Sequence, residues 1–370
     1  MKQKIRILWV TNAFGCGGAE RQMIYMYDIL SRYCDYDIRI LYYAHVKDEL
    51  PLGDMKTVFI DKQKVGRLKT ILTIADYIKK NDISIMHAFG GCSANIYGRA
   101  GAMLSKKTIP IGAMLGKKHF SSLASRIMNS LLNLKGNWWT VNNVELIPIL
   151  RKDLKFTTPE RIRMLHNGFV SDTEINYHIN EVTDYDKDKG DNFVFCTVGR
   201  LQPVKNIQLL INAASKIFKT HNNVRFWVIG NGEEYYHLQK QIDELGIAGK
   251  VKLWGYRSDI DVALSRADVY VQTSITEGSP NTIAEAMRAS KPIISTNCTD
   301  LSEMIDNGNN GFIVKNNDLD SLVNAMNKII DIPDDNRKQL GEKSKEMFTK
   351  TFLDKNVVKE FESLYNQVLG

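Results

Sequence analysis

A chain of 370 residues with 44% hydrophobic and 25% charged side chains has the make-up of a globular protein, and its length favours two domains over one. No apolar run approaches the roughly 18 residues of a membrane-spanning helix, and five dispersed cysteines without CxxC spacing argue against a zinc site and for reduced thiols in the cytoplasm. The formal charge is +7, but with few aromatics among the cations and no recognition module, nucleic acid is not an expected partner.

Met1–Val10 is basic and then apolar, too short in its apolar part for a signal peptide, and passes into Asn12 and a glycine cluster, so it reads as the start of a core strand. Ile5–Thr11 (IRILWVT) predicts that strand, and Asn12–Arg21 (NAFGCGGAER) predicts a glycine-rich turn opening a helix. Gly15, Gly17 and Gly18 allow a backbone to approach a ligand closely, yet the spacing is not G-x-G-x-x-G, and a plain tight turn is an equal reading. Cys16, inside the loop, is a candidate reactive thiol. Strands are expected at Asp37–Tyr43, Ile83–His87, Ile109–Ala113 and Trp138–Val141, separated by helices such as Arg67–Lys79 and Ser93–Leu104. This alternation indicates a doubly wound α/β domain. His87 ends one strand and His119 follows the next, so both are candidates for ligand contact, although a lone histidine is more often structural. Arg99–Arg163 holds twelve Lys and Arg against three acids, a local charge of +9. Solvated helix faces would account for it, and so would attraction to an anionic membrane surface or a pyrophosphate-bearing acceptor.

The first domain is expected over residues 1–170. Residues 171–192 carry seven acids with almost no apolar periodicity and read as a linker, in which Asp184–Asp186 (DYD) is solvated and holds no metal. A second α/β domain is expected over 193–350. Phe193–Val198 is its first strand and runs into Gly199–Asn206 (GRLQPVKN), so Arg200 and Lys205 flank a strand-to-helix turn where cations suit phosphate oxygens. Further strands are expected at Val224–Gly230, Val251–Gly255, Asp268–Thr273, Pro292–Thr296 and Gly311–Val314. The loop at Tyr256–Ile260 is placed to touch a base; Tyr256 stacking is one reading, and helix capping by Ser258 or Asp259 a simpler one.

Glu277–Glu285 (EGSPNTIAE) has a different character. It follows a buried strand and opens a helix, with Glu277 in the turn, Gly278, Ser279, Asn281 and Thr282 around the helix start, and Glu285 about a turn inside. Helix-start N–H groups favour an anion there, and two ionised carboxylates accept hydrogen bonds from hydroxyls. A sugar nucleotide offers both. Residues 351–370 contain Val357, Phe361, Leu364, Tyr365 and Val368 on one face of an amphipathic helix that is expected to pack back on the first domain.

Taken together, Gly17–Arg21 (GGAER), Asn167-Gly168, Gly199–Asn206 and Glu277–Glu285 resemble a family 4 retaining glycosyltransferase, the group 1 enzymes of surface polysaccharide synthesis. The resemblance implies a GT-B fold of two Rossmann-like domains facing a cleft, with Arg200 and Lys205 on the donor diphosphate, Glu277 on its sugar and Glu285 on its ribose. It also implies phosphate contacts from Asn281, Thr282 and the Gly17–Gly18 loop, no metal, and catalysis with retention. Where many relatives carry a histidine or arginine after the strand corresponding to Ile109–Ala113, this chain reads Met114–His119, leaving Lys117 or His119 for that role. The expected reaction moves a hexose or N-acetylhexosamine from a UDP-linked donor to a lipid-linked oligosaccharide or polysaccharide, in the cytoplasm or peripherally on the inner face of the plasma membrane. The alternatives are a non-catalytic partner subunit and a sugar-nucleotide epimerase.

Overall fold

The computed structural model describes residues 4–15, 17–46, 50–117, 120, 122–134, 137–169 and 182–370. They fall into two units, one within Met1–Ser171 together with Phe352–Gly370 and the other within Asp172–Thr351.

The first unit is built on a parallel sheet of β1 (Ile5–Thr11), β2 (Tyr36–Tyr42), β3 (Thr57–Phe59), β4 (Ile85–Ala88), β5 (Ile109–Met114), β6 (Trp138–Val141) and β7 (Ile162–Met164), in the order β3-β2-β1-β4-β5-β6-β7. Alternate residues of β1 serve opposite faces. Ile7 and Trp9 join one core and Leu8 and Val10 the other, as a strand covered by helices on both sides requires. The Ile7 and Trp9 face is closed by helix Asp354–Leu369, whose Val357, Phe361, Leu364, Tyr365 and Val368 are buried there. The expected return of the terminal helix to the first domain is therefore present. Phe169 and Leu353 form a parallel bridge where the returning chain joins this unit.

The second unit holds β8 (Phe193–Val198), β9 (Val224–Ile229), β10 (Val251–Gly255), β11 (Val269–Gln272), β12 (Ile293–Thr296) and β13 (Gly311–Val314), all parallel, in the order β10-β9-β8-β11-β12-β13. Both sheets reverse their strand order once, between β1 and β4 and between β8 and β11. In an open α/β sheet the carboxyl ends at such a reversal flank a crevice where ligands bind.

One expectation is corrected. Residues 182–192 are not linker throughout, because Asp184–Lys189 forms a helix with a capping box between Thr183 and Asp186. Tyr185 is fully buried against Trp227 and Trp254, Asp186 accepts from Arg266 at 2.6 Å, and Asp188 accepts from Trp227 Nε1 at 2.8 Å. A single aromatic anchor, an ion pair to a helix and a hydrogen bond to a strand do the packing that apolar periodicity does elsewhere. The remainder of the expected linker, 171–181, lies outside the described residues, as does Cys16.

Candidate donor site in the second unit

The site is assembled at the β8/β11 reversal. After β8 the chain turns through Gly199 into a single 3-10 turn, Pro203–Lys205, and Asn206, in the left-handed region (φ 50°), redirects it into helix Ile207–Ile217. Gly230, at the end of β9, has φ 139°, and a Cβ there would lie 1.8 Å from the Gly199 carbonyl oxygen, so only glycine lets the two backbones meet. The loop after β8 is tied to the one after β11 by two hydrogen bonds to its carbonyls: Thr273 Oγ1 donates to the Lys205 carbonyl at 3.0 Å and the Ile275 N–H to the Val204 carbonyl at 2.8 Å.

On this scaffold Lys205 Nζ donates to Glu277 Oε1 at 2.6 Å, and Ser274 Oγ donates to the same oxygen at 2.7 Å. The Lys205 and Glu277 side chains are 24% and 16% exposed, shielded enough to strengthen the pair yet open to an incoming ligand. Arg200 is exposed on the same loop. Helix Asn281–Arg288 starts with Asn281 and Thr282, and its start is pinned to β11: Tyr270 OH donates to Thr282 Oγ1 at 2.7 Å, and Thr282 Oγ1 donates to Gln272 Oε1 at 3.3 Å. Glu285, half-buried in this helix, and Glu277 lie near enough to the buried Tyr270 to help raise its phenol pKa, which burial raises most. Thr299 Oγ1 donates to the Gly278 carbonyl at 3.4 Å, holding the turn that Ser279 continues.

The structure thus brings Lys205, Glu277, Gly278, Thr282 and Glu285 into neighbouring elements, with Arg200 beside them. Tyr256 is set apart. It is 63% exposed at the end of β10, the edge strand two places from β8. Asp259 occupies the N-cap of helix Ile260–Arg266 without a capping hydrogen bond, its carboxylate being held by Arg257 at 2.6 and 2.9 Å. Sequence reading missed Ser274, Tyr270 and Gln272, which position others. Ser274, three residues before Glu277, is the one that local spacing made available.

In the first unit a pocket of about 330 Å³ opens at the carboxyl ends of β1, β4 and β5, lined by Ala19, Glu20, Phe89, Gly90, Gly91, Leu115 and Gly116. Gly17 is the N-cap of helix Gly18–Tyr33, and a Cβ at Gly17 would lie 2.2 Å from Glu20 Oε2. Lys117 Nζ pairs with Glu145 Oε2 at 2.6 Å. His119 lies outside the described residues. His87 is corrected as a ligand-contact candidate. Its strand runs to Ala88, so His87 sits inside the sheet with no exposed surface, Nδ1 3.0 Å from Tyr365 OH and Nε2 3.0 Å from Thr140 Oγ1. Burial pushes its pKa down to about 3. Gly168 of the Asn167-Gly168 pair meets packing, since a Cβ there would lie 2.6 Å from Met26 Sδ. No group of three His, Cys, Asp or Glu suited to a metal occurs among the described residues.

Residues 181–347 match the family model described as Glycosyl transferases group 1. The second unit belongs to the group 1 glycosyl transferases. The chain aligns with relatives of named activity. The Escherichia coli UDP-Gal:alpha-D-GlcNAc-diphosphoundecaprenol alpha-1,3-galactosyltransferase is 34% identical over 39% of this chain and 38% of its own length. The Saccharomyces cerevisiae phosphatidylinositol N-acetylglucosaminyltransferase GPI3 subunit is 25% identical over 71% of this chain and 59% of its own. The alignments thus span well under two thirds of either relative. The whole chain superposes on the crystal structure of Anabaena Alr3699/HepE in complex with UDP with a TM-score of 0.83, at 20% identity, covering 98% of this chain and 100% of that one. The fold is α/β with two Rossmann-like units, of the GT-B type.

Proposed function

We propose that the protein is a retaining glycosyltransferase that moves a hexose or N-acetylhexosamine from a UDP-sugar to a lipid-linked oligosaccharide or polysaccharide acceptor, working in the cytoplasm or peripherally on the inner face of the plasma membrane. The observation that carries this reading is the Lys205–Glu277 pair at the strand-order reversal of a glycosyl transferase domain, with exposed Arg200 on the same loop. The donor and acceptor classes are supported by the relatives' names, which include a UDP-Gal donor, a diphosphoundecaprenol acceptor and phosphatidylinositol.

In this reading the bond from the anomeric carbon to the diphosphate breaks, the acceptor hydroxyl oxygen bonds to that carbon on the same face, and its proton passes to the departing phosphate. Negative charge accumulates on the diphosphate. Cations and helix-start N–H groups already aimed at it stabilise the transition state more than the ground state. Arg200, Lys205 and the N–H groups of Asn281 and Thr282 take that role. Glu277, fixed by Ser274 and Lys205, accepts from the sugar hydroxyls, and Glu285 accepts from the ribose. Ser279 is a further donor contact, Tyr256 reaches the donor only if the base extends to the edge of the sheet, and Gly17, Gly18 and Lys117 or His119 rest on the family likeness alone. With two cations on the diphosphate, activity is expected to persist in a chelator.

A thermal-shift panel of UDP, GDP and ADP sugars, followed by transfer to membrane extract with and without EDTA and assignment of the product anomer by NMR, tests the proposal. The expected result is one UDP-sugar that raises the melting temperature and is consumed with retention. Consumption that leaves the sugar nucleotide-linked would identify an epimerase, and binding without turnover would identify a non-catalytic homologue. Failure of every donor to bind or react overturns the reading.

A further inference from the structure

The turn after β13, residues 315–318 (KNND), reaches back across the second sheet to the donor site. Asn317 takes the left-handed conformation at φ 55°, which asparagine tolerates better than most residues. Asp318 then caps helix Leu319–Asp331, accepting from the Ser321 N–H at 2.9 Å. Asn316 Nδ2 donates to the Ile275 carbonyl at 2.8 Å and to the Asn297 carbonyl at 3.4 Å, while Asn317 Oδ1 accepts from Asn206 Nδ2 at 2.8 Å. β13 is an edge strand, with β12 between it and β11. Asn316 therefore spans a strand to hold the turn after β11, and Asn317 holds the loop after β8.

The orientation of the Asn316 amide is set by chemistry. Two carbonyls face its nitrogen, so turning the amide over would set its oxygen against both. Oδ1 is buried and has no partner among the described residues. An unmet buried acceptor is a cost that folded chains tolerate mainly where function requires it. What Asn316 holds is the stretch that carries Glu277. The Ser274 carbonyl accepts from Oγ1 of the buried Thr296 at 2.6 Å, the Ile275 N–H is held by the Val204 carbonyl, and the Ile275 carbonyl is held by Asn316. Ser274 Oγ is thereby kept 2.7 Å from Glu277 Oε1, the oxygen that Lys205 Nζ also meets at 2.6 Å. Both donors fall on that one oxygen. Oε2 has no partner among the described residues and is left to a ligand hydroxyl. The diphosphate contacts have supports of their own: Arg200 and Lys205 ride on the loop after β8, and Thr282 is pinned by Tyr270 and Gln272.

We propose that Asn316 is a positioning residue for recognition of the donor sugar, fixing the turn after β11 so that Ser274 aims the second oxygen of Glu277 at a sugar hydroxyl. The inference rests on the assignment of Glu277 to the donor sugar made above. The full-length protein is titrated calorimetrically with UDP and with UDP-glucose, UDP-galactose and UDP-N-acetylglucosamine. Wild type is compared with Asn316→Ala, Asn316→Asp, Glu277→Ala and the double variant Asn316→Ala/Glu277→Ala. The Kd of the sugar nucleotide that wild type binds best should rise about tenfold in Asn316→Ala, whereas the Kd of UDP should change by less than about twofold. A merely structural role would weaken both ligands alike. Asn316→Asp, which keeps the shape but sets an oxygen against the two carbonyls, should lose at least as much and keeps the test open if the alanine variant does not fold. In the Glu277→Ala background Asn316→Ala should add less than about twofold, because both changes act on one contact. Lys315→Ala, at the exposed neighbour, should bind like wild type. Equal losses for UDP and sugar nucleotide, a tenfold cost that persists beside Glu277→Ala, or wild-type affinity in both Asn316 variants would each overturn the proposal and leave the functional reading standing. A wild type that binds none of the nucleotides would remove both.

Discussion

The buried histidine gives the most sharply worked prediction. Trp9 Nε1, which can only donate, lies 3.1 Å from Tyr365 OH, so the phenol oxygen accepts there and its own proton is directed to His87 Nδ1. Nε2 then carries the imidazole proton and donates to Thr140 Oγ1, which donates on to the Gly112 carbonyl at 3.4 Å. The chain fixes a neutral tautomer. A second proton on Nδ1 would face the phenol proton inside a site with no water-exposed surface. Folded His87 therefore titrates at about 3 against 6.5 when unfolded, a gap of about 3.5 pH units at about 1.4 kcal/mol each. The unfolded chain binds the extra proton, so stability is complete above pH 6.5 and is lost as pH falls toward 3. Linkage gives about 2 kcal/mol lost at pH 5 and a ceiling of about 5 kcal/mol below pH 3. Urea unfolding of wild type and His87→Gln at pH 7.5 and 5.0, with separate transitions fitted for the two units if they part, measures it. Wild type should be the more stable at pH 7.5, by about 1 to 3 kcal/mol, and its advantage should shrink by about 2 kcal/mol at pH 5.0. An advantage that is the same at both pH values would refute the protonation argument.

The other predictions concern the second unit. Lys205→Ala and Glu285→Ala should each abolish the thermal shift given by the correct donor, and Lys205→Ala should cost about 3 kcal/mol in barrier, roughly a hundredfold in rate; retention of the shift in both would remove the assigned site. Asp184→Ala, on an exposed part of helix 184–189, should leave the shift intact. Gly230→Ala places a Cβ 1.8 Å from the Gly199 carbonyl oxygen at φ 139° and should destabilise by roughly 3 kcal/mol while weakening donor binding, as read by urea midpoint and thermal shift together. Thr183→Ala removes the cap of helix 184–189 and should cost about 1 kcal/mol in urea unfolding; no change would mean that Tyr185 packing alone holds the helix.

The parts of the fold that could be read in the chain are those whose cause is local. β1 and β8 run as expected because a strand buried on both faces must be an apolar, β-branched run, and β10 and β13, partly exposed at the two edges of their sheet, also fall where expected. β3 and β7 were not foreseen. Each is three residues long, lies at the margin of the sheet and is only partly buried, so neither composition nor alternation marks it. Helix 184–189 escaped for a related reason: its contacts are with Trp227, Trp254 and Arg266, and an acidic segment with one aromatic looks like solvent-facing chain until those partners are present. His87 was placed at the right end of the right strand, but one further residue of strand put it inside the sheet, and Tyr365, 278 positions away, occupies its ring nitrogen.

The meeting of Lys205 and Glu277 was legible for a reason that separates it from those cases. Lys205 and Glu277 are 72 residues apart, yet each announces itself at a strand-to-helix turn. The only long-range fact needed is that β8 and β11 are neighbours, which the reversal of order in a doubly wound sheet supplies. Topology thus does for the two charges what apolar periodicity does for the core, converting local signals into a meeting point. Helix Leu123–Asn133, whose apolar stripe is exposed and whose buried residues are Asn129, Ser130 and Asn133, shows the opposite limit. Leu123, Ile127, Leu131 and Leu134 have the spacing of a core-facing helix, and periodicity alone cannot say which way they turn. Arg99 and Trp139, by holding Asn129 and Asn133 inward, decide it, and neither is sequence-local. An apolar period therefore identifies a buried face only when nothing polar on the other face is claimed first.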